Sequence, residues 1–373
     1  MNRPHRPSIA LLVALPVGVL VGVLATPLAA AEGEVPRMPD GKPDLSGTYD
    51  IATLTPLQRP PQFGDNLYLT REQALAIEEE EREFLAKGAQ RSDPNRGAPG
   101  EGGAPPVGLD DAEREILGAG NVGGYNNFWI DRGDSVVEVD GQFRTSIITE
   151  PKNGRQPPLS PEAMAAMGAL RDLFRPNDGT AYWLDWDRPG PYDDPEMRPL
   201  AERCLSSFSS IVPALPALYN NTKRIVQTGD QVMLLNEMVH DVRVVRLSSE
   251  HPPAEIKFWM GDSIGWWEGD TLVVETTNFE HEPGGFGFGS VDRLKVTERF
   301  TRWDEKTLHY AFEVENPDRW TAPWKGDFTW PSIDDQPDGK VFEYACHEGN
   351  YALGNIMRGA RQLEQETREE SSQ

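Results

Sequence analysis

The chain has 373 residues and a formal net charge of −24, with 60 acidic side chains against 36 lysines and arginines. A field of this sign repels phosphate backbones and anionic lipid surfaces, so it argues against nucleic acid and anionic membranes as partners. The 35 glycines and 32 prolines are too many for a helical protein and favour short strands joined by turns.

The N-terminal segment, residues 1–31, has the pattern of a secretory signal peptide. Arg3 and Arg6 form a basic start, an apolar run follows over residues 9–28, and small residues end it at 29–31. An uncleaved membrane anchor is the alternative, because the run is nearly as long as the roughly 20 residues that span a bilayer. The sequence therefore predicts a periplasmic or secreted protein that is not held in a membrane after cleavage.

Residues 32–110 are predicted to form an N-terminal arm, one helix and a linker rich in glycine and proline. A short strand is expected near Thr48–Ile51. Thr70 followed by Gln73 is a capping box that opens the helix, and Gly88 is placed to end it. Four consecutive glutamates inside this helix indicate a solvated face.

Residues 111–360 are predicted to form a single β-rich domain. Short turns at Asp140-Gly141, Gly229-Asp230, Gly269-Asp270 and 304–306 join segments with strand-like alternation. Because strands do not alternate with helices, the pattern predicts an antiparallel, lipocalin-like barrel of about eight strands with helical insertions. A β-sandwich or a small propeller is the alternative.

Three further elements are predicted around this sheet. Ser160 and Pro161 open a second helix, with Ser160 as the cap and proline at the first helical position. The segment "PDGKVFEYAC", residues 337–346, is predicted to be a late strand. Residues 361–373 are predicted to be a disordered tail.

The two cysteines, Cys204 and Cys346, are expected to form one disulfide, because a signal peptide directs the chain to an oxidising compartment. Closure of such a long loop contributes at most about 4–5 kcal/mol in the chain-entropy model. Two free thiols are the alternative, and they would leave Cys346 available as a nucleophile.

The segment "EMVHDVR", residues 237–243, carries the first candidate catalytic residues. Continuous strand alternation puts His240 in an apolar row, with Glu237, Asp241 and Arg243 on the other face. A neutral imidazole in a dry barrel interior can accept a proton. His240 is therefore predicted to be a base that Asp241 or Glu237 supports. A core histidine held by one hydrogen bond is the alternative.

The segment "YACHEGNY", residues 344–351, supplies the second group. His347 and Glu348 are predicted to be catalytic, with His347 as the partner acid of His240, and Asn350 is predicted to bind substrate. A structural anchor at a strand end is the alternative. Adjacent His and Glu do not make the two-histidine zinc helix, so no metal site is predicted.

Aromatic and amide side chains are predicted to bind the substrate. The chain has ten tryptophans, and two groups of them lie in predicted loops beside aspartates, which is typical of sites that stack flat rings. Plugs at the barrel ends are the alternative role for these tryptophans. The predicted substrate-binding residues are Tyr125, Asn127, Asn221, Glu237, Arg243, Trp267, Trp324 and Asn350.

Several stretches between about residues 45 and 355 occur in an order that is specific in combination. They include "PDGKPDLSGTY", "YNNFWIDRG", "EMVHD", "WMGDSIGWWEGDTLVVETTNF" and "YACHEGNY". In these stretches the chain resembles a large family of exported bacterial proteins that is abundant in soil and aquatic groups. The resemblance implies export and marks two of the candidate segments as family signatures. It implies no particular reaction.

Two classes of function remain. The first is a periplasmic enzyme, a lyase, isomerase or hydrolase, that uses histidine and carboxylate acid–base chemistry on a small aromatic, plant- or lignin-derived, or sugar-like compound. The second is a lipocalin-like carrier that binds an apolar small molecule without catalysis. No cofactor is expected in either case. An enzyme needs titratable groups that converge on one cavity, whereas a carrier needs only the cavity.

Overall fold

The computed structural model describes residues 35–88, 130–173, 175, 178–209, 212–247, 249–281 and 290–372. These residues are mainly β, and they contain thirteen strands and three α-helices. None of the helices described is long and apolar enough to cross a bilayer. The predicted signal peptide and most of the predicted linker lie outside the described residues.

Ten of the strands form the main sheet. Their bounds are β1 Gly47–Asp50, β5 Ile148–Glu150, β6 Thr222–Gln227, β7 Gln231–Asn236, β8 Val242–Leu247, β9 Asp262–Glu268, β10 Thr271–Thr277, β11 Lys295–Arg302, β12 Thr307–Glu315 and β13 Trp324–Pro331. The order across the sheet is β1-β6-β7-β8-β9-β10-β11-β12-β13-β5. All neighbouring strands are antiparallel except the pair β8 and β9. The predicted hairpin turns at 229–230, 269–270 and 304–306 are confirmed.

The main sheet curls into a half-barrel. At one end of β13 the backbone N–H of Ile333 donates to the carbonyl oxygen of Thr48 at 2.9 Å, and an isolated bridge pairs Tyr49 with Ser332. Because the sheet has ten strands and remains a half-barrel, the prediction of a closed eight-stranded barrel is wrong, and the ten continuous strands do not form a sandwich or a propeller either. Local turn signals identified the hairpins, but they carried no information about β5, which pairs with β13 across a long stretch of sequence.

Alternate residues of the main sheet build a core on its concave face. Trp330, Tyr310 and Phe328 are all buried there, and the rings of Tyr310 and Trp330 stack at 4.5 Å between centroids. Trp324 belongs to the same core, with only 2% of its surface exposed. β13 points the ring of Trp324 inward, and its role in substrate binding stays a prediction.

A small second sheet and two capped helices lie beside the main sheet. The strands β2 Tyr68–Leu69, β3 Glu138–Val139 and β4 Gln142–Arg144 are ordered β2-β4-β3, and the turn at 140–141 is confirmed. Helix α1, Arg71–Gly88, begins with the predicted capping box, because Thr70 and Gln73 exchange hydrogen bonds of 2.9 and 3.2 Å. Helix α2, Pro161–Leu173, begins after Ser160, whose hydroxyl accepts the N–H of Ala163 at 3.0 Å.

The C-terminal region differs most from the prediction. Residues 352–371 form helix α3, Ala352–Ser371, which includes most of the tail that was expected to be disordered from residue 361 onward. The helix packs against an aromatic segment, and the Nε1–H of Trp183 donates to Oε1 of Glu364 at 2.8 Å. The predicted late strand over residues 337–346 is also wrong, since these residues form turns and irregular structure.

Candidate functional site

A buried lysine lies on the concave face at one end of the half-barrel. β6 points alternate residues inward, so Lys223 faces the core together with Ile225 and Gln227. Lys223 is 3% exposed, and its Nζ donates to the carbonyl oxygen of Ser209 at 2.6 Å. A charged ammonium is costly in such surroundings unless other groups compensate its charge.

Carboxylates compensate part of this cost. Burial lowers the pKa of Lys223 to about 7, and the negative charges of Glu237, Asp241 and Asp50 oppose that shift. The positive charge of Arg243 acts in the same direction as burial. Lys223 can therefore gain or lose a proton near neutral pH.

Asp50, at the end of β1, also has a shifted pKa, but its pKa is raised where that of Lys223 is lowered. Burial raises its pKa to about 6, and the charges of Asp131, Asp134 and Glu237 raise it further. The N–H of Ala52 donates to Oδ1 of Asp50 at 2.9 Å and opposes the shift. An amine and a carboxyl thus both titrate close to pH 6–7 at one end of the half-barrel. We refer to Lys223, Asp50, Glu237 and Asp241 as the Lys223 cluster.

The segment 237–241 reaches this cluster as a tight turn rather than as a strand. β7 ends before it and β8 starts after it, and Val239 and His240 have φ values of 60° and 46°. The turn buries Glu237, whose Oε1 accepts the Nδ2–H of Asn220 at 3.2 Å, and it leaves His240 exposed. The prediction of a buried His240 on an apolar strand face is therefore wrong. Two left-handed residues reverse the chain where continuous alternation was expected.

Arg243 lies inside the half-barrel as a consequence of the same turn. It forms a buried ion pair with Glu298, with one hydrogen bond of 2.9 Å, and it donates to Oγ1 of Thr276 at 3.1 Å. The Tyr310 hydroxyl donates to Glu298 at 2.7 Å and accepts the N–H of Ala214 at 2.8 Å. Burial raises the pKa of Tyr310 well above 10, so its proton stays in place. These partners fix Arg243 inside the half-barrel, and its contact with substrate stays a prediction.

Two short stretches, residues 204–209 and 212–215, cover this end of the concave face, and we call them the roof segment. Ser209 accepts from Lys223 and Ala214 donates to Tyr310, so both stretches contact the floor. The predicted disulfide between Cys204 and Cys346 is confirmed, with 5.8 Å between the Cα atoms. It joins the roof segment to "YACHEGNY".

The segment "YACHEGNY" lies on the surface beside the roof segment. His347, Glu348 and Asn350 are exposed, and Nδ2 of Asn350 lies 3.8 Å from Sγ of Cys204. Tyr344 is close enough to Tyr219 for its charge to add to the effect of burial, which raises the pKa of Tyr219. A shared cavity for His240 and His347 stays a prediction.

The remaining predicted binding residues divide into three cases. Asn221 accepts the N–H of Ala217 at 2.7 Å and donates to the carbonyl oxygens of Asp131 and Ala217 at 2.9 Å, which makes it a loop anchor. Trp267 is partly buried against the core, with Nζ of Lys42 at 5.6 Å from its ring centroid. Tyr125 and Asn127 lie outside the described residues.

Sequence reasoning missed Lys223 and Asp50. The alternation in "TKRIVQ" could have identified Lys223, because it shares a strand face with Ile225 and follows the pair Asn220-Asn221 after one intervening threonine. Asp50 gave no such signal. It ends a four-residue strand, and its environment depends on Asp131, which is distant in the sequence.

A separate pocket of about 340 Å³ lies between α1 and the neighbouring loops. Its walls are mainly the apolar side chains of residues 54–57 and 216–218, together with Ile77 and Ile147, and its charged residues are Glu80, Glu81 and Arg132. No member of the Lys223 cluster lines it. Across the described residues, no three His, Cys, Asp or Glu side chains are grouped so that they could hold a metal ion.

Comparison with known proteins adds no assignment to this geometry. The chain matches no protein-family model, and a search of curated proteins found no significant match. The resemblance to exported bacterial proteins therefore stays a prediction.

Proposed function

We propose that the protein is an exported enzyme that transfers protons at the Lys223 cluster, as a lyase, isomerase or hydrolase. The observation that carries the proposal is the burial of Lys223 beside the carboxylates of Asp50, Glu237 and Asp241. A general acid or base is most effective when its pKa lies near the working pH. Lys223 and Asp50 meet this condition, with pKa values of about 7 and about 6.

The two groups have different roles in the proposed reaction. Asp50 is only partly buried, so its carboxylate is the group that accepts a proton from the substrate. Lys223 and Glu237 are buried, and the ammonium of Lys223 compensates negative charge that develops on the substrate. His240 lies on the same turn as Glu237 and Asp241, and it is available as a second donor at the solvent side.

We also propose a periplasmic or secreted location and a small, uncharged substrate. The disulfide between Cys204 and Cys346 supports an oxidising compartment. The net charge of −24 disfavours polyanionic substrates, nucleic acid and anionic membranes. An aromatic or sugar-like compound carries no such negative charge.

A lipocalin-like carrier is the second candidate. The pocket of about 340 Å³ favours it, because apolar side chains form most of the pocket wall and the Lys223 cluster is not part of it. A carrier binds through this pocket and leaves its ligand unchanged. An enzyme of the first kind alters its substrate through Lys223 and Asp50.

The test is a search for turnover in deuterated buffer. Aromatic lactones, sugar lactones and hydroxyketones are incubated with the protein at pH 7, and proton NMR follows product formation and deuterium incorporation. We expect Asp50→Asn and Lys223→Met to lose at least 100-fold in rate, as loss of general acid–base catalysis does. The matched controls Asp187→Asn and Lys152→Met change exposed residues and should retain the rate. Turnover that survives in both cluster variants would exclude the proposed mechanism.

A further inference from the structure

The pocket beside α1 combines an apolar interior with an excess of negative charge at its edge. Ile77 and Ile147 contribute to the interior, and Glu81 is 4% exposed at its charged side. A volume of about 340 Å³ suits a compound the size of a single ring with a short chain. The pocket is therefore large enough to take up most of the apolar surface of such a molecule.

The charges around the pocket do not cancel. Arg132, the only basic residue among the lining residues, forms a salt bridge with Glu81 at 3.7 Å and lies 5.4 Å from the ring centroid of Phe84. Arg82, further along α1, is paired with Glu79 at 2.6 Å. The pocket therefore offers an anion no arginine whose charge is uncompensated.

Glu80 supplies the uncompensated charge. Its side chain is exposed and lines the pocket, and it forms no ion pair with any residue that the structure describes. Asp131 and Asp134, on the loop that carries Arg132, are exposed carboxylates that add to the same field. A cation at this edge gains Coulomb energy from several carboxylates, whereas an anion is repelled.

We infer that this pocket binds small organic cations, in which an amine or ammonium group lies at Glu80 and an apolar body fills the space under α1. The inference goes beyond the proposed function, because no residue of the Lys223 cluster lines the pocket. The apolar body provides most of the affinity, since its burial removes hydrocarbon surface from water. The charge provides the selectivity between ligands of equal shape.

Three compounds of matched shape test the inference by isothermal titration calorimetry on the full chain at low ionic strength. They are 3-phenylpropylamine, 3-phenylpropanol and 3-phenylpropionate. We expect the amine to bind about tenfold more tightly than the carboxylate, with the alcohol between them. Half-molar salt should reduce this preference to less than about threefold, because it screens exposed charges.

Two variants assign the binding to the pocket. Glu80→Gln should weaken the amine several-fold and leave the alcohol unchanged, whereas Ile77→Trp should fill the pocket and abolish binding of all three compounds. Glu83→Gln is the matched control, because Glu83 is exposed on the same helix and does not line the pocket. Equal affinity for amine and carboxylate, unaltered binding to Ile77→Trp, or no binding at millimolar concentration would each overturn the inference. The Lys223→Met variant should bind 3-phenylpropylamine as tightly as the wild type does. A failure of the proposed enzyme function can therefore be distinguished from a failure of this inference.

Discussion

Lys223 donates a hydrogen bond of 2.6 Å from its Nζ to the carbonyl oxygen of Ser209, which ties the floor of the half-barrel to the roof segment. The contact gives the buried ammonium a fixed acceptor, while Glu237, Asp241 and Asp50 supply negative charge around it. The Lys223 cluster is thus held from two sides, by the main sheet and by the roof segment.

Asp50→Asn should change how stability depends on pH. The pKa of Asp50 is raised from 3.8 to about 6, so between these values the folded protein binds a proton that the unfolded chain has lost. Wild-type stability therefore falls as the pH rises through this window, and the variant lacks that loss. We expect the stability of Asp50→Asn relative to wild type to rise by up to about 2–3 kcal/mol from pH 4 to pH 7 in urea unfolding. A constant difference across this range would show that Asp50 titrates normally.

Glu298→Gln should destabilise the fold strongly. The substitution leaves the buried guanidinium of Arg243 without its charge partner, and such a loss costs about 3–5 kcal/mol. Arg299→Gln is the control, because its salt bridge with Glu268 is exposed on the outer face and contributes less than about 1 kcal/mol. Urea unfolding measures both variants. Equal losses of unfolding free energy in the two variants would mean that the buried pair does not stabilise the half-barrel more than the exposed one.

Removal of the disulfide should loosen the roof segment. Cys204→Ala combined with Cys346→Ala opens a covalent loop of 142 positions and should lower the unfolding free energy by up to about 4 kcal/mol. Hydrogen exchange followed by mass spectrometry should show that the exchange rate rises, relative to wild type, more in residues 205–209 than in β11 and β12. An exchange rate in residues 205–209 that equals the wild-type rate would show that the disulfide does not hold the roof segment in place.

The turn at His240 should respond to glycine. The left-handed φ of 46° is unfavourable for any residue with a Cβ atom, and the exposed ring of His240 contributes little packing. We expect His240→Gly to be more stable than His240→Ala by about 0.5–1 kcal/mol, as thermal unfolding can show. Alanine as stable as glycine would argue against the left-handed turn and would restore the extended strand that the sequence pattern predicted.

Local signals in the sequence predicted much of the fold. The hairpins at 140–141, 229–230 and 269–270 depend on two-residue turns, and both helix starts depend on capping residues within three positions. The prediction of a closed eight-stranded barrel was wrong because the number and order of strands depend on pairings between distant segments, such as β5 with β13. Helix α3 was missed because its polar sequence buries only Ala360 and Glu364, against a segment that no local pattern identifies.

The sequence drew attention to one segment of the Lys223 cluster. The segment "EMVHD" was identified as chemically important, and Glu237 and Asp241 do belong to the Lys223 cluster. The predicted directions of Glu237 and His240 were wrong because Val239, a β-branched residue, takes a left-handed conformation that its type disfavours. Lys223 and Asp50 owe their pKa shifts first to burial, and the charges that modify these shifts come from residues that are mostly distant in the sequence. These are three-dimensional properties that no short motif encodes.

The most direct measurement is the titration of Lys223 itself. NMR of protein labelled with ¹³C at the lysine ε-carbons follows the ionisation of each ammonium, and Lys223→Met identifies the signal of interest. We expect a pKa of about 7 for Lys223, so that its amine gains and loses a proton near the working pH. A midpoint at the ordinary lysine value, above about 10, would show that the Lys223 cluster does not exchange protons near neutrality.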